Sequence, residues 1–299
     1  VGEFIVSIQG TEEGARLALM LALLSAVAHA TFGALQKGRH DPWLVRGAVD
    51  FWYCVMAIPT ALILFPLPDR QLALVLAGVW ILHVTYKVFQ AMAYTRGAFT
   101  VVYPIARGTG PLATVFFAGV VFGEVLRPGQ WAGLLLLSGS IFGLALANMR
   151  DAGTDPRRLI HAIGLAFATG LMIALYTTYD AFGIRLSADP FMFLAWFFVI
   201  DGITFPFIAL VRWRASPAPP DPGPLMLKGL FGALIAFVSF GGIMLATRLD
   251  KVGEAAAIRE TSIIFATAIG VFIFHEKIDL RRLILIGLIA CGAVLVEFG

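Results

Sequence analysis

The chain has 299 residues, 59% of them hydrophobic and 14% charged, with a formal net charge of +3. A mean hydropathy of +0.87 excludes an ordinary soluble domain and marks an integral membrane protein. The basic residues are scattered at predicted helix ends, without the clustered patch or stacking aromatics that nucleic-acid binding requires, so no nucleic-acid partner is expected.

Crossing a hydrocarbon core of about 30 Å takes about 20 mostly apolar residues, and the sequence divides into ten such runs. Residues 1–14 read as an N-terminal tail; they carry Glu3, Glu12 and Glu13 but no Lys or Arg. They therefore lack the basic region of a cleaved signal peptide, and the first apolar run is expected to stay in the mature protein. Spans are predicted near 15–37, 43–65, 71–94, 98–122 and 128–149, the first five-helix repeat (15–149). A polar linker at 150–158 follows. The second repeat (159–299) holds spans near 159–183, 190–213, 225–248, 252–274 and 279–298. Asp41-Pro42 and Asp189-Pro190 open the second span of each half.

In the second span, Asp50 has Arg46 four residues before it and reads as half of an intrahelical pair. The third span carries His83, Lys87, Gln90 and Tyr94 at i, i+4, i+7 and i+11, one helical stripe with Tyr86 beside it. Ionic groups at membrane depth are costly and face protein or water, so this stripe is expected to border a cavity; the plainer alternative is an interhelical polar contact. The fourth span brings Tyr103, Pro104, Arg107 and Pro111 to mid-depth. Pro111 removes the donor to the Arg107 carbonyl, which predicts either a functional break in the helix or a packing kink. Gly119-x-x-x-Gly123 and Gly139-x-x-x-Gly143 are small-residue patterns for close packing, within the bundle or between protomers, leaving a monomer or a weak homodimer open.

In the second half, Tyr176, Tyr179 and Asp180 form an aromatic and acidic patch suited to an amine and a ring. Asp201, in the middle of the seventh span, and Glu260, in the ninth, are the better proton-coupling candidates, since a buried carboxyl has reason to exchange protons during a cycle. His83 is a further relay candidate, as is His29; a lone histidine on an apolar helix is otherwise a satisfied interhelical contact. Arg107 and Arg259 occupy equivalent places in the two halves and offer planar donors to a carboxylate, or pin groups within each half. Trp43, Trp131 and Trp213 lie near span ends as interfacial belts, while Trp80 and Trp196 lie deep enough to face a cavity. Cys54 and Cys291 stand alone in apolar runs, in no metal or disulfide spacing; no cofactor or metal is expected.

The chain repeats itself. Thr95-Arg96, Arg107-x-Thr109 and Glu124 recur as Thr247-Arg248, Arg259-x-Thr261 and Glu276, all displaced by 152 residues. Five spans per half is odd, so the second half enters the membrane from the opposite side. The expected fold is an all-α integral membrane protein of ten transmembrane helices, two inverted five-helix repeats around a central cavity. By these boundaries, Lys37, Arg39, Arg96, Arg150, Arg157, Arg158, Arg212, Arg214, Lys277, Arg281 and Arg282 fall on one side. Arg16, Arg70, Arg127, Arg185, Arg248 and Lys251 fall on the other, a bias that favours outside termini.

The string Ala93-Tyr94-Thr95-Arg96-Gly97-Ala98, then Pro111, then Gly123-Glu124 before a Gly-rich fifth span resembles the EamA-type repeat of the drug/metabolite transporter superfamily. The second half repeats it with Gly253, Arg259-x-Thr261 and His275-Glu276, Ile263 standing where Pro111 would recur. The resemblance implies a bacterial plasma-membrane carrier with both termini cytoplasmic, against the charge bias. Its members move amino acids, nucleotide sugars, sugar phosphates or cationic drugs, and the bacterial amino-acid exporters, including those for aromatic ones, are closest in character. The expected partners are a small-molecule substrate and the lipid bilayer. No GxxxxGK[ST] loop is present, which makes transport secondary; no HExxH, GxSxG or multi-carboxylate motif supports an enzyme. A channel would need a continuous lining, usually from several subunits. Substrate contacts are expected from His83, Tyr86, Lys87, Gln90, Tyr103, Arg107, Tyr176, Tyr179, Asp180, Arg259 and Glu260.

Overall fold

The computed structural model describes residues 2–36, 41–151, 156–273, 275 and 278–299. Lys37, Arg39, Glu276, Lys277 and the centre of the expected linker, 152–155, lie outside the described residues, as do the side chains of Arg150, Arg157 and Arg158. The described chain is helical: α1 (Gly2–Ser7), α2 (Glu12–Gln36), α3 (Pro42–Leu64), α4 (Arg70–Arg96), α5 (Phe99–Phe122), α6 (Pro128–Asp151) and α7 (Pro156–Leu186) are followed by α8 (Pro190–Gly202), α9 (Phe205–Ala215), α10 (Pro222–Leu249), α11 (Val252–Arg259), α12 (Ser262–Phe272) and α13 (Leu280–Phe298).

Aspartates start five of these helices by accepting an otherwise unbonded amide of the first turn. Asp41 accepts from Trp43, Asp69 from Leu72, Asp189 from Phe191, Asp221 from Gly223 and Asp279 from Arg282. Proline follows Asp41, Asp189 and Asp221 directly, where its missing N–H costs nothing. At the other end of α5, Gly123 adopts a left-handed φ of 68° and the amide of Glu124 returns to the Ala118 carbonyl at 3.4 Å. The expected Gly119/Gly123 packing motif is therefore a helix terminator in its second member, and a Cβ on Gly139 would meet nothing. Close backbone approach occurs instead where Gly133 of α6 and Gly292 of α13 face each other: a Cβ on either would lie 2.7–2.8 Å from the other's carbonyl oxygen.

Nine helical stretches among the described residues, from Glu12–Leu35 to Val252–Phe272, are long and apolar enough to cross a membrane. α13, 19 residues with Arg281, Arg282 and Glu297 towards its ends, falls outside that set by composition. The outer surface exposes Ile63, Leu64, Val120, Phe207, Val211 and Phe272, whereas Asp50, His83, Lys87, Arg107, Asp180, Asp201, Arg259 and Glu260 are buried. This is the polarity of a protein dissolved in lipid. α2 packs along α10, α5 and α4 along α7, α6 along α13, and α3 against α8, α9 and α10.

Within the expected N-terminal tail, Ile5 of α1 and Ile8 just after it join an apolar cluster with Ala18, Ala22, Ile243 and Leu249. Two expectations change. The seventh and ninth spans are each two helices, parted at Ile203–Thr204 and at Glu260–Thr261. The fourth span, where a proline break was a reading, runs unbroken through Pro104 and Pro111. Two threonine hydroxyls on α5 bond back to carbonyls four residues earlier, Thr109 to Ile105 and Thr114 to Gly110.

Candidate functional site

Six buried ionic side chains meet between α3, α4, α7 and α8. On α3, Arg46 Nε lies 2.9 Å from Asp50 Oδ1, the expected i,i+4 pair, and Arg46 Nη2 lies 3.4 Å from Asp201 Oδ2. On α4, His83 sets Nε2 2.9 Å from Asp180 and Nδ1 3.1 Å from Asp201. One turn further along, Lys87 Nζ lies 2.6 Å from Asp50 Oδ2 and 2.8 Å from Asp201 Oδ1. Three carboxylates thus face Arg46, Lys87 and His83, and the charges cancel when His83 is protonated. Such a network is tolerated at depth because each charge has partners; removal of one member strands another.

The backbone builds this network. Gly202 lets α8 lie directly on α3, since a Cβ there would sit 2.8 Å from the Asp50 carbonyl oxygen and 2.9 Å from Tyr53 Cβ. α8 then stops, because Pro206 has no N–H to offer the Gly202 carbonyl. Carbonyls at a helix end lose their ladder partners, and Lys87 Nζ donates to that of Asp201 at 2.6 Å. The three protons of the ammonium accordingly meet three oxygens, which leaves none for a ligand.

A second cluster joins the halves around α5 and the α11–α12 break. There the chain tightens into i→i+3 bonds, from Glu260 to Ala257, Thr261 to Ile258, Ile263 to Glu260 and Ile264 to Thr261. The turn aims two neighbours apart. Glu260 reaches Arg107 Nε of α5 at 2.9 Å, and Arg107 Nη2 donates to Ser262 Oγ at 3.3 Å. Arg259 points to α2 and α10, with Nη2 3.3 Å from His29 Nδ1 and 3.4 Å from Ser239 Oγ and its guanidinium 4.9 Å from the Phe240 ring. It is 3% exposed, its Nε has no hydrogen-bond partner, and no carboxylate lies at ion-pair distance among the described residues.

Aromatic rings stand between the clusters. Tyr86 and Tyr176 are 4.8 Å apart, Tyr176 is 4.5 Å from His83, and Gln90 donates to the Tyr86 hydroxyl at 2.6 Å. Tyr103 lies 5.8 Å from the Arg107 guanidinium. Tyr179 is elsewhere: its hydroxyl sits over Gly78 of α4 and its ring beside Phe182, so the predicted patch divides and only Tyr176 and Asp180 face inward. Asp180 Oδ1 has no hydrogen-bond partner among the described residues. Trp80 and Trp196 bond at the rim, to Thr204 Oγ1 and the Pro66 carbonyl, and do not face the clusters.

The structure thus brings His83, Lys87, Asp180 and Asp201 together, and separately Arg107, Arg259 and Glu260, with Tyr86, Gln90, Tyr103 and Tyr176 between or beside them. Sequence reasoning passed over Arg46 and Asp50, whose local pairing hid their contacts to α4 and α8, and over Ser239 and Ser262, which carry no charge signal. On one side of the molecule, bonds from the end of α5 and from α6 tie the first half to the second. Glu124 accepts from the amides of Val252 and Gly253 at the start of α11 and pairs with Arg185, which also donates to the carbonyls of Thr247 and Asp250. Gln130 bonds Glu254 at 2.6 Å, while Arg248 works within the second half, donating to the carbonyls of Ile184 and Ser187 at the end of α7.

Residues 160–298 match the family model of the EamA-like transporter family. No curated protein matches the chain. A solved structure described only as "Crystal structure of protein" is similar over 94% of this chain and 98% of its own, with a TM-score of 0.75 and 16% identity, a likeness of fold alone.

Proposed function

Because residues 160–298 belong to the EamA-like transporter family, whose members are membrane transporters of small molecules, we propose that the chain is a secondary carrier exporting amino acids by alternating access. The observation that carries this reading is Arg259, a buried guanidinium with no carboxylate partner among the described residues. At membrane depth such a charge is retained where something completes it, and a planar fork suits the two oxygens of a carboxylate. Ser239 and His29 hold it at 3.3–3.4 Å, long contacts that an incoming anion would replace.

The other end of a zwitterion has an acceptor. Asp180 Oδ1 is buried and has no hydrogen-bond partner among the described residues, and the Tyr176 ring lies 4.5 Å from that of His83, which Asp180 holds. An α-amino acid would thus span from Arg259 to Asp180, with its side chain against Tyr86 and Tyr176. That pair of rings favours aromatic or apolar side chains, offset stacking adding about 0.5–1.5 kcal/mol beyond burial. Arg107 and Glu260 neutralise each other beside this position.

Helix pairing supports a two-fold repeat of the five-span unit, and the odd number of spans in each half makes that repeat an inverted one in this reading. Exchanging each span for the fifth after it turns α2·α10 into α7·α4, α5·α7 into α11–α12·α2 and α3·α10 into α8·α4; α6·α13, α5·α11 and α3·α8–α9 map onto themselves. All these pairs are present. Counterflow of labelled amino acids in proteoliposomes tests the proposal: trans-stimulated uptake that saturates is expected, and its absence across aromatic, aliphatic and basic amino acids would reject it.

A further inference from the structure

Unlike the ionic clusters, the surface between α3, α9 and α10 opens into an apolar cleft of about 490 Å³. Leu44, Ala48 and Phe51 of α3 form its floor, and Phe207 and Leu210 of α9 and Met226 of α10 its walls. The backbone makes this gap. A Cβ on Gly47 would meet that of Ala209, and one on Gly229 would lie 2.7 Å from Ala48, so α9 and α10 each sit directly on α3 and leave a trough between them. Phe207 and Leu210 are exposed along it. From Trp213 to Pro206 the trough runs about 10 Å along α9, inside one half of a hydrocarbon core about 30 Å thick.

The trough does not end in apolar surface. At Leu44, which lines both, it runs into a second cavity of about 530 Å³ between the start of α3 and the loop from α9 to α10. The charged side chains lining that cavity are Arg212 and Asp41, one of each sign, with Arg212 Nη2 3.3 Å from Asp41 Oδ2 and both partly exposed. A guanidinium has more donors, and a carboxylate more acceptor sites, than one pair uses. Both therefore keep capacity after their own contact and the Asp41 cap on Trp43. Trp43 stacks on Phe205 at 5.8 Å with the Arg212 guanidinium 5.0 Å from its ring, and the Trp213 indole donates to the Pro220 carbonyl. Indole rings collect at headgroup level, which sets Arg212 and Asp41 at that level and the trough below them among the acyl chains.

We propose that trough and cavity together bind a phospholipid with a primary ammonium headgroup, its phosphate against Arg212, its ammonium against Asp41 and one acyl chain between α9 and α10. Charge selects this occupant. An anionic lipid would meet Asp41 with no cation to offer, and a quaternary headgroup has no N–H for the carboxylate. The chain packs on Pro206 and Phe207, in the first turn of α9 after the break at Ile203–Thr204, so the bound lipid steadies that joint against α3. The site shares no residue with the one proposed for the carried substrate and stands whatever that substrate is.

Native mass spectrometry of the full chain in detergent micelles tests it, with phosphatidylethanolamine, phosphatidylcholine and phosphatidylglycerol of identical acyl chains added in turn. One phosphatidylethanolamine per chain should be retained about threefold to fivefold better than either of the others, the scale of one partly exposed ion pair. Leu210→Trp, which fills the trough from an exposed position, and Arg212→Gln should each lose that lipid. Asp41→Asn keeps a capping side chain for α3 but drops the charge, and its preference should turn to phosphatidylglycerol. Equal retention of the three headgroups would mean an unselective lipid annulus only and overturns the proposal. So does a parent preference for phosphatidylcholine or phosphatidylglycerol, undiminished retention by Leu210→Trp, an Asp41→Asn preference unchanged from the parent, or a lipid-free dimer that Leu210→Trp abolishes. The comparison of headgroups uses the parent protein alone, so it decides the matter even where a variant does not fold.

Discussion

Lys87 grips Asp201 twice, by the side chain at 2.8 Å and by the main-chain carbonyl at 2.6 Å. A single ammonium thus fixes both the direction of a carboxylate and the last turn of α8, one residue before the chain breaks. Ion pairing and helix geometry become one event at this point.

Removing one partner of the network should be severe. Asp50→Asn leaves the buried cations Arg46 and Lys87 with Asp201 as their one shared counter-charge among the described residues, and the stability loss is expected to be about 3–5 kcal/mol. Denaturant unfolding in detergent measures it; a loss below about 1 kcal/mol would show that the network is not a stability element.

Arg259 separates charge from geometry. Arg259→Ala should abolish counterflow with normal membrane abundance, and Arg259→Lys, which keeps the charge but not the fork, should still weaken substrate binding roughly tenfold or more. Equal affinity for Arg259→Lys and the parent would argue against two-oxygen recognition of a carboxylate.

Glu124→Gln should loosen the bonded side. The substitution discards the charge facing Arg185 and the α11 amides. With Cys54 and Cys291 replaced by serine, a cysteine at Val252 should react several times faster with a membrane-impermeant maleimide when Glu124→Gln is added. Unchanged labelling would assign the tie to other contacts.

Gly133→Ala should cost about 1–3 kcal/mol, since its Cβ would lie 2.7 Å from the Gly292 carbonyl oxygen and the Leu295 Cβ. Gly139→Ala, pointing into open space, is the matched control and should be near neutral. Thermal unfolding of the two variants side by side decides it.

Pro111→Ala should leave transport intact, because α5 is continuous with the proline in place. Loss of counterflow at normal abundance would mean that the proline acts in a state other than this one.

Charge made much of the site legible before any coordinates. A lysine or arginine at membrane depth needs company, and the stripe on the third span and the repeat-equivalent arginines both led to buried clusters. What stayed hidden depended on partners remote in sequence. Arg46–Asp50 satisfies a local rule, so nothing in the chain announces that Asp50 also holds Lys87. The helix breaks were misplaced for a related reason: proline is a visible signal at Pro111, yet α5, packed along α7 and α6, stays whole. At Glu260–Thr261 no proline warns of the break, and the ion pair to Arg107 together with the tight turn defines it. Pro206 was a legible breaker, but the apolar run around it masked the stop.

Two joints lie in the second half, at Ile203–Thr204 and Glu260–Thr261, whereas α3 and α5, their counterparts in the first half, are continuous rods. The halves are then unequal as machine parts: one is a stiff frame, the other an articulated arm whose elbows sit beside the two ionic clusters. Substitutions that stiffen the elbows should slow turnover, while the same changes in the frame pass unnoticed.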